Sequence, residues 1–118
     1  MRNMVSIYHN PRCSKSRETL ALLQQKGIEP NVVLYLDTPP DVPTLKKLLN
    51  QLGMHSAREL MRRKEDLYKE LQLAEADLSE DQLLQAMVDH PKLIERPIVV
   101  NGEQARIGRP PEAVLEIV

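Results

Sequence analysis

Along the chain the apolar positions change period several times, and each change marks a predicted element. Val5-Ser6-Ile7-Tyr8 alternates with period two and predicts a short strand, stopped by Asn10-Pro11. A helix is predicted from about Ser14 to Lys26, with Gly27 placed where a left-handed residue closes a helix. Asn31 to Leu36, rich in Val and Leu, reads as a buried second strand of the parallel type. Strand, helix and strand in so short a stretch make a βαβ unit, whose crossover is right-handed.

Asp37-Thr38-Pro39-Pro40 breaks the pattern, and three helical segments follow. Leu45, Leu48, Leu49 and Leu52 recur at helical spacing and end at Gly53. Ser56 with Glu59 forms a capping-box pattern for a short helix that carries Arg58, Arg62 and Arg63. Ser79 with Gln82 repeats the signal before Leu83, Leu84, Met87 and Val88, and Pro91 ends that helix. Pro97-Ile98-Val99-Val100 and Glu103–Ile107 then flank Asn101-Gly102, a strong hairpin-turn signal. A last helix is predicted over roughly Pro111 to Val118, where a proline in the first turn is well tolerated.

The order β-α-β, helices, β-β-α predicts an α/β protein with a thioredoxin-like fold. The helical insertion, about residues 41–92, falls between the βαβ unit and the C-terminal ββα unit. The 118 residues fit a single domain.

Composition narrows the function classes. Hydrophobic residues are 42% and charged residues 28%, the balance of a globular protein and not of a disordered tail. No apolar run approaches the ~20 residues of a membrane span, and the start does not read as a signal peptide. The single cysteine excludes an internal disulfide and fits a reducing cytosol. With no Trp or Phe and three Tyr, base stacking on nucleic acid is poorly supplied. Net charge is −1, yet residues 1–64 carry 11 Lys/Arg against 5 Asp/Glu, and residues 65–90 carry 1 against 8. A basic first half in a neutral chain suggests a local anion site better than a nucleic-acid surface.

The candidate chemistry lies in His9-Asn10-Pro11-Arg12-Cys13-Ser14-Lys15-Ser16-Arg17, between the first strand and the first helix. In an open α/β sheet that loop is at the carboxyl end of a strand, where ligands bind. Cys13 therefore falls at a helix N-terminus, where free N–H groups and the helix dipole favour an anion. Arg12, Lys15, Arg17 and a protonated His9 are within four residues of it, so a thiolate is expected. The bland alternative is a small buried hydrophobe, as free cysteines often are. One Cys and three scattered His (9, 55, 90) offer no ligand pair at a zinc-like spacing, so no metal is expected. Arg96 before Pro97 and Arg109 before Pro110 stand in loops that a thioredoxin-like layout turns toward Cys13. Arg62 could join them from the insertion. Guanidinium forks match tetrahedral oxyanions, so a thiolate ringed by arginines suits an oxyanion that thiols can reduce.

His9-Asn10-Pro-x-Cys13-x-x-Ser16-Arg17, Arg62, Arg96-Pro97-Ile98-Val99-Val100 and Arg109-Pro110 together resemble the glutaredoxin-coupled arsenate reductases of the ArsC family. The resemblance runs from about Val5 to Val118 and includes Leu73-Ala74-Glu75 and Asp81-Gln82-Leu83. It implies a cytoplasmic enzyme in which Cys13 attacks arsenic and forms a covalent thiol–arsenate adduct. Arg62, Arg96 and Arg109 match the family's oxyanion-binding arginines. His9 matches a residue that helps lower the cysteine pKa, and Ser16 one close to the thiolate. Glutathione would act as co-substrate, with no tightly bound cofactor, and glutaredoxin would complete reduction and release arsenite. The partners implied are arsenate, glutathione and glutaredoxin, with no nucleic acid and no membrane; a monomer is expected. The fold further implies a cis peptide at Arg96–Pro97. Two other classes compete. One is a glutathione-linked thiol oxidoreductase acting on another substrate. The other is an ArsC-fold redox-responsive regulator, which commonly carries Cys-x-x-Cys where this chain has Cys13 and Ser16.

Overall fold

A four-stranded sheet of order β2-β1-β3-β4 organises the part of the chain that carries Cys13. The computed structural model describes residues 5–118. They divide into two units, one from residues up to Thr38 together with Arg96–Val118, the other Pro39–Glu95.

In the first unit, β1 (Val5–Tyr8) is central and α1 (Ser14–Gln25) follows it. Lys26 is the residue that ends α1, and Gly27 follows with φ +79°, a conformation that favours glycine. β2 (Asn31–Val33) pairs parallel to β1, with Ile7 opposite Val32. β3 (Ile98–Asn101) runs antiparallel to β1, with Ile7 opposite Val99, and β4 (Gln104–Ile107) runs antiparallel to β3. Val5, Ile7, Leu23, Val99, Val114 and Ile117 form the core of this unit, with Leu20 and Ile28 packed against it. The Arg96–Pro97 peptide is cis, as the fold implies, and so is Arg109–Pro110.

Three details differ from the sequence pattern. The second strand ends at Val33 rather than Leu36, and Val32, Leu34 and Leu36 are exposed. β2 is an edge strand with one neighbour, so one side of it meets no further strand. The hairpin loop is Gly102-Glu103, since Asn101 still pairs with Gln104. Gly102 has φ +63° and Glu103 no positive φ, the pattern of a turn that needs glycine first. Asn101 instead donates from Nδ2 to the Ile117 carbonyl at 2.6 Å. The C-terminal segment Pro111–Glu116 is a 3-10 helix, shorter than the predicted helix.

In the second unit, α2 (Val42–Leu52) starts at Asp41, whose side chain accepts from the Thr44 N–H at 2.9 Å, and ends at Gly53 with φ +73°. Both capping boxes form as predicted, before the 3-10 turn Ala57–Leu60 and before the helix at Glu80–Asp89. Between them lies α3 (Asp66–Glu70), too short to show a period; Glu80–Asp89 is α4. Leu45 and Leu48 of α2, Leu60, and Leu83, Leu84 and Met87 of α4 are buried. Arg62 and Arg63 are not helical. Met61 forms an antiparallel bridge to Ile94, with the Arg62 N–H donating to the Leu93 carbonyl at 2.7 Å. Among the described residues, no helix is long and apolar enough to cross a membrane.

Candidate active site

Cys13 is the N-cap residue of α1, with an extended backbone (φ −96°, ψ 124°). The loop that places it is tied down locally: the Cys13 N–H donates to the Asn10 carbonyl, and the Arg12 N–H to Asn10 Oδ1, both at 3.0 Å. No side chain caps α1, and no acidic residue stands in its first turn. The first-turn N–H groups therefore face the Cys13 sulfur and no competing carboxylate or hydroxyl cap.

The thiol is partly buried, and burial alone would push its pKa up. The N–H of Ser16, the Arg96 guanidinium, the N–H of Lys15 and the Arg109 guanidinium act the other way, and the net shift is downward. Arg109 donates from Nη2 to Cys13 Sγ at 3.9 Å, while its Nε donates to the Arg96 carbonyl at 2.9 Å. The two arginines are thus linked to each other as well as to the thiol.

This is not the set of cations expected from proximity in sequence. Lys15 contributes its backbone N–H, while its ammonium faces Glu18 at 3.5 Å. Arg17 donates from Nη1 to the Pro11 carbonyl at 3.1 Å. His9 is held below its ordinary pKa, first by burial and second by the nearby Arg17, so at neutral pH it is not a cation. Its Nδ1 lies 2.6 Å from the hydroxyl of Ser16, which also accepts from the Asn10 N–H at 3.0 Å. His9 and Ser16 are both buried. Ser16 therefore serves twice: its N–H faces the thiol, and its hydroxyl ties the end of β1 to α1.

The loop that follows β4 is seated against α1. The Gly108 N–H donates to the Pro97 carbonyl at 2.9 Å, and a Cβ at Gly108 would fall 2.5 Å from Thr19 Oγ1. Thr19, buried in α1, donates that hydroxyl to the Lys15 carbonyl at 2.8 Å. This close approach precedes Arg109 and was not signalled by any motif; a lone glycine before Arg-Pro was its only trace.

Five of the six predicted site residues, Cys13, His9, Ser16, Arg96 and Arg109, thus come together in the first unit. The sixth, Arg62, belongs to the second. There its Nη2 pairs with Glu65 at 3.0 Å and its Nε with Glu95 at 3.9 Å, and Nη1 donates to the Lys92 carbonyl at 3.4 Å. Arg63 beside it is exposed.

A cysteine whose pKa is lowered by N–H groups at a helix start and by two arginines, on a thioredoxin-like sheet with a helical insertion, defines a class of cysteine-based redox proteins. Residues 8–117 match the ArsC family, and the chain belongs to it. It is 71% identical over 118 residues to the Escherichia coli protein named "Uncharacterized protein YfgD", covering 100% of this chain and 99% of that one. A Haemophilus influenzae protein named arsenate reductase is 56% identical over 113 residues, covering 96% and 97% of the two chains. The solved structure of a Vibrio cholerae arsenate reductase superposes with a TM-score of 0.96 at 62% identity, covering 99% of this chain and 100% of that one.

Proposed function

We propose that the protein is an arsenate reductase that reduces arsenate to arsenite through a covalent adduct on Cys13, with glutathione and glutaredoxin as electron donors. The observation that carries this reading is the contact of Arg109 with Cys13 Sγ, 3.9 Å, at the free N-terminus of α1. A thiol able to act as a nucleophile beside a guanidinium able to take an oxyanion supports this reading. The Haemophilus and Vibrio relatives, at 56% and 62% identity, support arsenate as that oxyanion.

The Cys13 thiolate attacks arsenic, an S–As bond forms, and one arsenate oxygen leaves as water with a proton drawn from solvent. Arginines at positions 96 and 109, and by family resemblance 62, hold the remaining oxygens. A glutathione thiolate then attacks arsenic in the adduct and displaces a second oxygen as water, with a proton from solvent. A glutaredoxin thiolate attacks the glutathione sulfur; that S–As bond breaks with its electron pair on arsenic, which passes from the +5 to the +3 state and takes up two protons, while glutaredoxin keeps the glutathionyl group as a mixed disulfide. Water then cleaves the Cys13–arsenic bond, releasing arsenite and restoring the thiolate. The chain works as a monomer in the cytoplasm, where glutathione is supplied.

The test is arsenate-dependent NADPH oxidation coupled through glutathione, glutaredoxin and glutathione reductase. Turnover that Cys13→Ser abolishes is expected. No dependence on arsenate, with turnover of a glutathionylated thiol instead, would assign the chain to thiol oxidoreduction.

A further inference from the structure

Within residues 39–95, all three kinds of guanidinium nitrogen on Arg62 are engaged. Nη2 is paired with Glu65 Oε2 at 3.0 Å, Nε with Glu95 Oε1 at 3.9 Å, and Nη1 with the Lys92 carbonyl at 3.4 Å. Glu65 is itself shared: its Oε1 lies 3.7 Å from Lys92 Nζ. Two cations and two carboxylates make this cluster neutral, so Arg62 presents little net attraction to an anion while both carboxylates stay on it. The Arg62 and Glu65 side chains are 24% and 20% exposed, against 68% for Lys92, so their pair is less screened than an ordinary surface pair.

We propose that Glu65 sets the oxyanion affinity: it occupies Arg62 when no substrate is bound and yields it to the incoming oxyanion, while Lys92 keeps the released carboxylate compensated. This rests on the reading above of Arg62 as an oxyanion ligand. Glu65 is free to make the exchange. It is the N-cap residue of α3, yet its side chain makes no cap hydrogen bond, so the helix start loses nothing when the carboxylate moves. The 3.0 Å contact is the shortest the guanidinium makes to a carboxylate, and an oxyanion that needs the Nη2 edge must displace it. Lys92 already faces the other oxygen of Glu65, so a released Glu65 stays paired.

The opposite possibility is that Glu65 only aims Arg62, and the two predict opposite signs. The experiment measures the arsenate concentration that halves the rate of Cys13 alkylation by iodoacetamide without reductant, together with the arsenate KM and kcat in the coupled assay. Glu65→Gln keeps the shape and removes the charge; both concentrations should fall about two- to fivefold, the effect of one ion pair at this exposure, with kcat nearly unchanged. Lys92→Gln should raise both, because Glu65 then keeps its hold on Arg62. Arg62→Ala, the control, should raise both by more than Lys92→Gln does. If Arg62→Ala raises them but Glu65→Gln raises them too or leaves them unchanged, Glu65 is a positioning or bystander residue and the inference is overturned. If Arg62→Ala itself changes nothing, the assignment of Arg62 to the oxyanion falls, and the inference with it.

Discussion

Arg109 places Nη2 3.9 Å from Cys13 Sγ although 96 positions separate them in the chain. The guanidinium does not reach the sulfur as a loose surface group. Its Nε is anchored on the Arg96 carbonyl at 2.9 Å, and the residue before it, Gly108, bonds the Pro97 carbonyl at 2.9 Å. Two guanidiniums held this way favour the charged form of the thiol over the neutral one.

Arg109→Ala should therefore move the pH profile of Cys13 alkylation to higher pH. Burial, which raises the thiol pKa, would then be opposed by Arg96 and the Ser16 and Lys15 N–H groups alone. Loss of one charge-assisted contact to the oxyanion should cost kcat/KM about ten- to a hundredfold, from ~1.5–3 kcal/mol. An unshifted profile would mean that Arg109 is not part of the thiol's electrostatic setting.

Ser16→Ala should separate stability from thiol chemistry. The hydroxyl it removes serves His9 Nδ1 and the Asn10 N–H, both of which lose a partner in a buried setting. A loss of about 1–3 kcal/mol is expected from urea unfolding. The Ser16 N–H that faces Cys13 belongs to the backbone and survives the substitution. The alkylation profile should stay near that of the parent protein, and a large upward shift would show that the hydroxyl acts on the thiol directly.

The pH dependence of folding should carry the mark of His9. Burial, and then Arg17, hold its folded pKa below the ordinary value of about 6.5. In the window between the two values the unfolded chain binds the extra proton, so stability rises with pH there. The contribution is complete above about pH 6.5 and is lost as pH falls toward the folded pKa. Unfolding midpoints at pH 7 and pH 5 test this: the drop should be smaller in His9→Gln, which has nothing to titrate at that position.

What could be read from the chain alone was what is decided locally. The two capping boxes, the left-handed glycines at 27 and 53 and the alternation of Val5–Tyr8 each draw on neighbours a few residues away, and each formed. Misreadings came where a distant partner decides. Nothing local tells that Asn31–Val33 lies at the sheet edge, or that Val32, Leu34 and Leu36 are exposed. The charge around Cys13 shows the same division. Proximity in sequence pointed to Arg12, Lys15, Arg17 and His9, whereas the side-chain cations that act on the thiol come from positions 96 and 109. Those two were accessible only through the expected topology and the family resemblance.

The sequence pattern puts Arg62 and Arg63 on one short helix, where adjacent side chains point about 100° apart. They lie instead beyond the 3-10 turn, next to the Met61–Ile94 bridge. The ranking still follows, for a different reason. Arg62 is held by Glu65, Glu95 and the Lys92 carbonyl, while Arg63 is exposed. Once Glu65 yields, Glu95 and the Lys92 carbonyl still orient the Arg62 guanidinium for an oxyanion, whereas a solvated side chain bears the full ordering cost. Arg62→Ala should lose far more arsenate reduction than Arg63→Ala, and the reverse order would move the oxyanion assignment by one residue.

The source of electrons follows from the cysteine count. Reduction through a Cys13 adduct needs a second thiol to attack it, and Cys13 is the only cysteine in the 118 residues. Position 16, one helical turn on, is a serine whose hydroxyl is committed to His9 and Asn10, so no resolving group stands there. The second thiol must come from solution, where its thiolate fraction and access to the adduct set the rate. Partial exposure of Cys13 allows a small thiol to approach. In the proposed cycle glutathione meets that need, and a glutaredoxin thiol then accepts the glutathionyl group as reduction is completed. Arsenate turnover should therefore need glutathione and glutaredoxin together, and thioredoxin with its reductase should support little. The two reductant systems are compared at equal protein and arsenate, with mass spectrometry of trapped protein as a second measure. Stalled reactions lacking glutaredoxin should show Cys13 carrying arsenic and one glutathione. Full turnover with thioredoxin and no glutathione would sink the mechanism, because it would leave no role for glutathione on the adduct.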